Sequence, residues 1–194
     1  MKSVNIILSV ALWVIVVGMA FWLYKVIQDP VAFEEAKEIR IEATKNRLKD
    51  IKVAQEYYKQ TNQTFANNFD DLISTIKTEE LKIIKTNGDP DDTTIVTTYD
   101  TIYIPILDEI KEKRKFKGTE DIEQLRYIPL TENLEFSLAM DTLTQQRVKL
   151  SVFEAKATKQ KYLSGLDEER ILNPAIEDLS IGSLESASGK GSWE

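Results

Sequence analysis

Apolar residues run almost unbroken from Ile6 to Tyr24, IILSVALWVIVVGMAFWLY, with only Ser9 and Gly18 interrupting them. At about 1.5 Å rise per residue, such a helix nearly crosses a hydrocarbon core of roughly 30 Å. Trp22 and Tyr24 cluster at one end, where aromatic rings favour the headgroup boundary. Gly18-Met19-Ala20 has the small-x-small form of a processing site. The apolar run nevertheless continues through Phe21, Trp22, Leu23 and Tyr24, so the expectation is an uncleaved signal anchor over residues 1–28. Asp29-Pro30 predicts a break in the helix, because the residue before proline is pushed out of the α region.

From Val31 to about Gln60 the pattern turns amphipathic. Ile41, Leu48, Ile51, Ala54, Tyr57 and Tyr58 recur at spacings near three, four and seven, with Lys, Arg and Glu between them. Such a stripe packs either on the chain's own β-domain or on a partner helix. For the second case the candidate interface is Ile41, Leu48, Ile51, Ala54 and Tyr58. The stretch TNQTFANN, Thr61 to Asn68, is a polar reversal. Asn68 then caps a short helix, FDDLISTIK, whose Asp70 and Asp71 sit in the first turn where the helix dipole favours them. Residues 29–78 thus read as a juxtamembrane helix plus a capping helix.

After Thr78 the period changes to alternation. LKIIKT, TTIVTTY and TIYIPI read as strands, with NGDPDD as a turn and Pro105 marking an edge or strand end. LDEIKEKRKFKG is compatible with a short helix or a mobile basic excursion, and LRYIPL follows it. LEFSLAMDT and QRVKLSVFEAK form the clearest hairpin, with Leu134, Phe136, Leu138 and Met140 on one face of the first strand. Val148, Leu150 and Val152 alternate likewise on one face of the second. TKQKYLSGL predicts a helical turn or two closed by Gly165, and LSIGSLE a last strand. The β-rich domain spans 79–185, and the small polar residues of 186–194 predict a flexible tail. The fold class is α+β: a transmembrane helix and an amphipathic helix, then a small antiparallel β domain.

Composition narrows the chemistry. The 194 residues include neither Cys nor His, which removes disulfides, thiolate nucleophiles and the commonest general base and metal ligand. Residues 1 to 27 contain Lys2 and Lys25 and no acid, so the remainder carries 23 basic against 32 acidic side chains, a net of −9. That charge disfavours nucleic acid. Asn87, Asp89 and Asp91 alternate as in a calcium loop, but Asp92 stands where that loop needs Gly and Thr98 where it needs Glu, so a hairpin turn is the reading. No Gly-x-Ser-x-Gly elbow and no phosphate loop is present. Neither catalytic residues, cofactor, metal nor small-molecule substrate is predicted. Asn62-Gln63-Thr64 is a glycosylation sequon that reads as an ordinary turn. Thr93, Thr101 and Thr142 follow Asp in triplets that resemble a bacterial O-glycosylation signal.

The order of a membrane helix, an amphipathic extension ending near Tyr57 or Tyr58, a reversal with Phe65, a short helix with Leu72 and a β-meander resembles type IV pilins and the pseudopilins of type II secretion. The resemblance covers roughly residues 5 to 78 and is one of layout. The prepilin peptidase site is absent, since the apolar run contains no acid. The tail Gly182-Ser183-Leu184 through Gly191-Ser192-Trp193-Glu194 resembles that of an uncharacterised family of single-pass bacterial envelope proteins, a likeness that implies no activity.

The pilin-like layout implies a structural or scaffolding subunit of a secretion, pilus-like or motility apparatus. The resemblances place it in the bacterial inner membrane with its large domain in the periplasm, touching other envelope proteins or copies of itself. A count of flanking charge (Lys2 before the span; Lys25, Lys37 and Arg40 after) would put that domain inside. The alternative function is a ligand-binding module for a cell-wall or lipid component.

Overall fold

The computed structural model describes residues 2–87, 98–113, 115–145 and 147–194. The chain divides into two units, Met1–Ile39 and Arg40–Glu194. Both draw on one helix, α1, Lys2–Asn62.

In the first unit, the side chains from Leu12 to Val26 are exposed, as an apolar helix surface is when lipid rather than protein is its intended solvent. An 18-residue window within Leu12–Asn62 has a mean hydropathy of 1.4, and none of it is buried. This is one helix long and apolar enough to cross a membrane. The expected break at Asp29-Pro30 does not occur, because Pro30 lies inside α1. Proline removes only its own N–H and crowds the carbonyl four residues back, a local cost of about 3 kcal/mol that long flanking helical segments tolerate.

In the second unit, α1 turns Leu48, Ile51, Ala54 and Tyr57 into a core. Phe69, Leu72, Ile73 and Ile76 of α2, Phe69–Thr78, are buried too. Asn68 caps α2 as its sequence predicts, its side-chain oxygen accepting from Asp71 N at 2.8 Å. The reversal between the helices is stitched rather than loose. Gln55, fully buried, donates to Ala66 O at 3.0 Å and accepts from Ala66 N at 2.8 Å, so one side chain substitutes for a strand partner. Thr64 and the Phe65 N–H meet the Ser151 hydroxyl at 3.1 and 3.3 Å, and the Phe65 ring packs 4.7 Å from that of Phe153.

Strands β1, Glu80–Asn87, and β2, Thr98–Pro105, pair antiparallel in a two-stranded sheet. Helix α3, Ile106–Glu112, follows, with Ile106 N donating to Glu79 O at the base of the pair. A 3-10 turn at Ile122–Arg126 leads to β3, Ser137–Gln145, and β4, Val148–Ala157. Short helices α4, Lys159–Tyr162, and α5, Glu168–Ile171, precede β5, Leu179–Gly182. The second sheet has the order β3-β4-β5, antiparallel throughout. The protein is α+β, as its pattern predicts. The turn NGDPDD beyond Asn87 and most of TTIVTTY lie outside the described residues, and Thr98–Pro105 forms one strand.

Three expectations change. In β4 the buried face is not Val148, Leu150 and Val152 alone: Val152 is buried but Val148 is exposed, and Phe153, Ala155 and Ala157 of the other face are buried as well. The register separates the two faces: Met140 and Leu138 lie opposite Phe153 and Ala155, and directly opposed residues share a face. Val148, Leu150 and Val152 fall on the other face, opposite Gln145, Leu143 and Asp141.

Secondly, of the two readings of LDEIKEKRKFKG the short helix holds, as α3, and the basic stretch after it is anchored: Lys117 N, Gly118 N and the Thr119 hydroxyl all donate to Asp50 at 2.7–2.8 Å. Thirdly, residues 186–194 are fastened to β5. Gly182 N donates to Lys190 O and Ser192 N to Ser180 O, with Gly191 bridging Ile181. The Trp193 ring covers Gly191, where a Cβ would stand 2.5 Å from the indole, and Lys45 Nζ lies 5.5 Å from its centroid. Small polar residues predict mobility only when their backbone groups have no partners, and these have them.

Candidate interaction surface

The stripe weighed as a partner interface is used internally. Leu48, Ile51 and Ala54 are 0% exposed, and Ile41 and Tyr58 are half-buried, so the partner-helix reading of these five residues is corrected. The chain itself removes the stripe from solvent, which burial of apolar area favours. Of the threonines, Thr101 is exposed on β2 and Thr142 on β3, while Thr93 lies outside the described residues. Asp89 and Asp91 also lie outside them. Asn62 closes α1, its amide donating to Tyr58 O at 3.3 Å.

What the fold leaves open is the β1–β2 arm. Among the described residues neither strand pairs with a third. Opposed residues Leu81 and Ile104, and Ile83 and Ile102, share the face turned toward the domain, where Leu81 is buried. On the other face Ile84 and Tyr103 are 58% and 60% exposed. A two-stranded ladder is marginal in water on its own, and its outer N–H and C=O groups are templates for another strand. Alternation inside LKIIKT and TIYIPI shows the strands. Isoleucine on both faces of β1, at 83 and 84, is the signal that neither face of the arm is plain solvent surface.

Beside the arm lies an open cleft of about 500 Å³ lined by Leu107, Ile110, Phe116 and Ile122 under a mixed rim of Lys77, Lys111, Glu120 and Asp121. One wall of it, 116–122, is the segment that Asp50 holds. Gly118 rests on the α1 backbone, where a Cβ would come within 3.2 Å of Arg47 N. Arg47 donates to Gln124 O, and burial lowers its pKa against the opposing pull of Asp50. Sequence reasoning passed over Asp50, although its place between Arg47 and Ala54, on the inward side of the stripe, marks a carboxylate that must find donors.

At the far sheet, Asp178 accepts from Lys159 N at 2.9 Å and pairs with Lys156 at 2.9 Å. Burial pushes its pKa up, but these donors hold it below the ordinary value. Tyr162, fully buried, donates to Glu177 O at 2.8 Å, and burial, with Asp178 nearby, pushes its pKa up to about 12. Both are structural fastenings of α4 to the segment before β5. Among the described residues no group of three or more acids is gathered to hold a metal ion.

No protein-family model, no curated protein and no solved structure matches this chain.

Proposed function

We propose that this protein is a membrane-anchored structural subunit of a bacterial envelope assembly that works through protein–protein contacts. The observation that carries this reading is the β1–β2 arm, with unpaired edges and exposed Ile84 and Tyr103, in a chain whose α1 has the length and apolar character of a membrane span. The anchor confines the domain to two dimensions, which raises its effective concentration for partners in the same membrane. The domain itself is pinned from within by Asp50, Gln55 and the Trp193 tail, so it presents the arm on a rigid base. The layout shared with pilins and pseudopilins supports a place in a secretion, pilus-like or motility apparatus, with the α1 span in the inner membrane and the domain in the periplasm.

Cross-linking in native membranes through lysine, followed by tagged purification and mass identification, tests this. A ladder of self-adducts or one or two stoichiometric envelope partners is the expected result. Monomer at every cross-linker length would overturn it and leave the cleft beside Phe116, and thus ligand binding, as the reading to pursue.

A further inference from the structure

We infer that the β1–β2 arm is extended by a second copy of this chain, the free edge of β2 in one copy accepting β1 of the next in the register the hairpin itself uses. This rests on the anchored, contact-making reading above and names the contact.

The two edges of the arm differ. Natural sheets blunt an edge with charge, lysine above all. β1 carries exposed Glu80 and Lys82, whereas the run Thr101–Ile104 of β2 has no charged residue. Helices α2 and α3 touch β2, yet Asp100, Thr101 and Tyr103 stay exposed. So β2 is the receptive edge.

The occupant follows from complementarity. The hairpin sets Leu81 opposite Ile104, Lys82 opposite Tyr103, Ile83 opposite Ile102, Ile84 opposite Thr101 and Lys85 opposite Asp100. The pairs are apolar with apolar at 81/104 and 83/102, cation with aromatic at 82/103, two β-branched residues at 84/101 and opposite charges in register at 85/100, combinations that stabilise cross-strand neighbours. A β1 arriving from a second copy offers the same series to the other edge of β2, with no like charges opposed. Two-fold pairings about the strand centres are poorer. Centring β2 on β2 at Thr101 sets Asp100 against Ile102, and centring β1 on β1 at Ile83 sets Lys82 against Ile84.

Size decides where the contact forms. One strand edge with Ile84 and Tyr103 amounts to a few hundred Å² per copy, short of the roughly 1,200 Å² of a stable soluble complex. Confinement in a membrane supplies the missing concentration. A head-to-tail contact of this kind is heterologous and generates rows of copies, or rings where the rotation closes.

The chain has no cysteine, so disulfide trapping has no background thiol. Two full-length copies with different tags, one Ile84→Cys and one Thr101→Cys, are co-expressed and oxidised in native membranes. The mixed adduct should exceed both same-site adducts by about ten-fold, through the raised effective concentration at the paired positions. Adding Tyr103→Lys to the Thr101→Cys copy should return it to the level of a control pairing Thr101→Cys with Glu169→Cys on exposed α5. A Thr101–Thr101 adduct that matches or exceeds the mixed one overturns the head-to-tail arrangement. A mixed adduct at control level overturns the inference. Lysine cross-linking of the same membranes then separates the two claims: adducts with other envelope proteins leave the contact reading standing, and monomer alone removes both.

Discussion

Asp50→Asn changes a single atom type, and the structure sets what that costs. The carboxylate is 1% exposed and accepts from Lys117 N at 2.8 Å on one oxygen, and from Gly118 N at 2.7 Å and the Thr119 hydroxyl at 2.8 Å on the other. Asparagine keeps one acceptor oxygen and puts an NH2 in place of the second. The Thr119 hydroxyl can rotate to accept, but a backbone N–H cannot. In one orientation of the amide Gly118 N is stranded against a donor, in the other Lys117 N. A buried donor without a partner costs about 1–3 kcal/mol. The remaining bonds lose their charge assistance, and Arg47, 7% exposed, loses the neighbouring anion that opposes its desolvation. Together these come to about 3 kcal/mol, or roughly a hundred-fold in an opening equilibrium.

Hydrogen exchange read by mass spectrometry on the full chain in detergent measures this where it acts. Peptides covering 115–121 should exchange about a hundred-fold faster in Asp50→Asn, while those covering β3 and β4 should change far less. Asp71→Asn, exposed in the first turn of α2, serves as the control and should stay within about 0.5–1 kcal/mol of the parent. Unchanged exchange at 115–121 in the Asp50 variant would refute the claim that this carboxylate holds the wall of the cleft.

Other outcomes follow from the same geometry. Gly182→Ala places a Cβ 2.2 Å from Phe153 O at a φ of +79°, so thermal unfolding should show a loss of more than about 2 kcal/mol or no folded product. Gln55→Ala strands both the Ala66 N–H and C=O, and a urea titration should show about 2–4 kcal/mol lost, more than Gln160→Ala on α4. Tyr162 keeps its proton to about pH 12 when folded, against about 10 when unfolded. An acid whose folded pKa is raised contributes stability that is fully present below the unfolded pKa, so this contribution is lost as pH rises from about 10 to 12. Tyr162→Phe should therefore flatten the fall in melting temperature over that interval, and an unchanged slope would contradict the assignment.

The parts of this fold that sequence pattern reveals are those where one local signal suffices. An unbroken apolar run, the Asn68 cap with its two following aspartates, and the alternation of β3 each act within a few residues. The misreadings arose where distant segments decide. In β4, Val148, Leu150 and Val152 alternate as well as Phe153, Ala155 and Ala157 do, yet burial follows position along the strand: Val152 and Phe153 are both buried and Val148 is exposed. The tail of small residues looks free until β5 offers it a ladder and Lys45 a cation for Trp193. Pro30 predicts a boundary from its own chemistry, yet one missing hydrogen bond does not end a helix of 61 residues. The surface itself was half legible. Isoleucines on both faces of β1 were visible, but not that the fold would leave Ile84 and Tyr103 uncovered.

The account stands on α1 crossing the membrane with the domain outside. The direct measurement is carbonate extraction combined with labelling of Glu169→Cys by a membrane-impermeant maleimide in spheroplasts. The account predicts a chain that stays with the membrane through carbonate and labels fully before lysis. Release by carbonate, or labelling only after lysis, would contradict it.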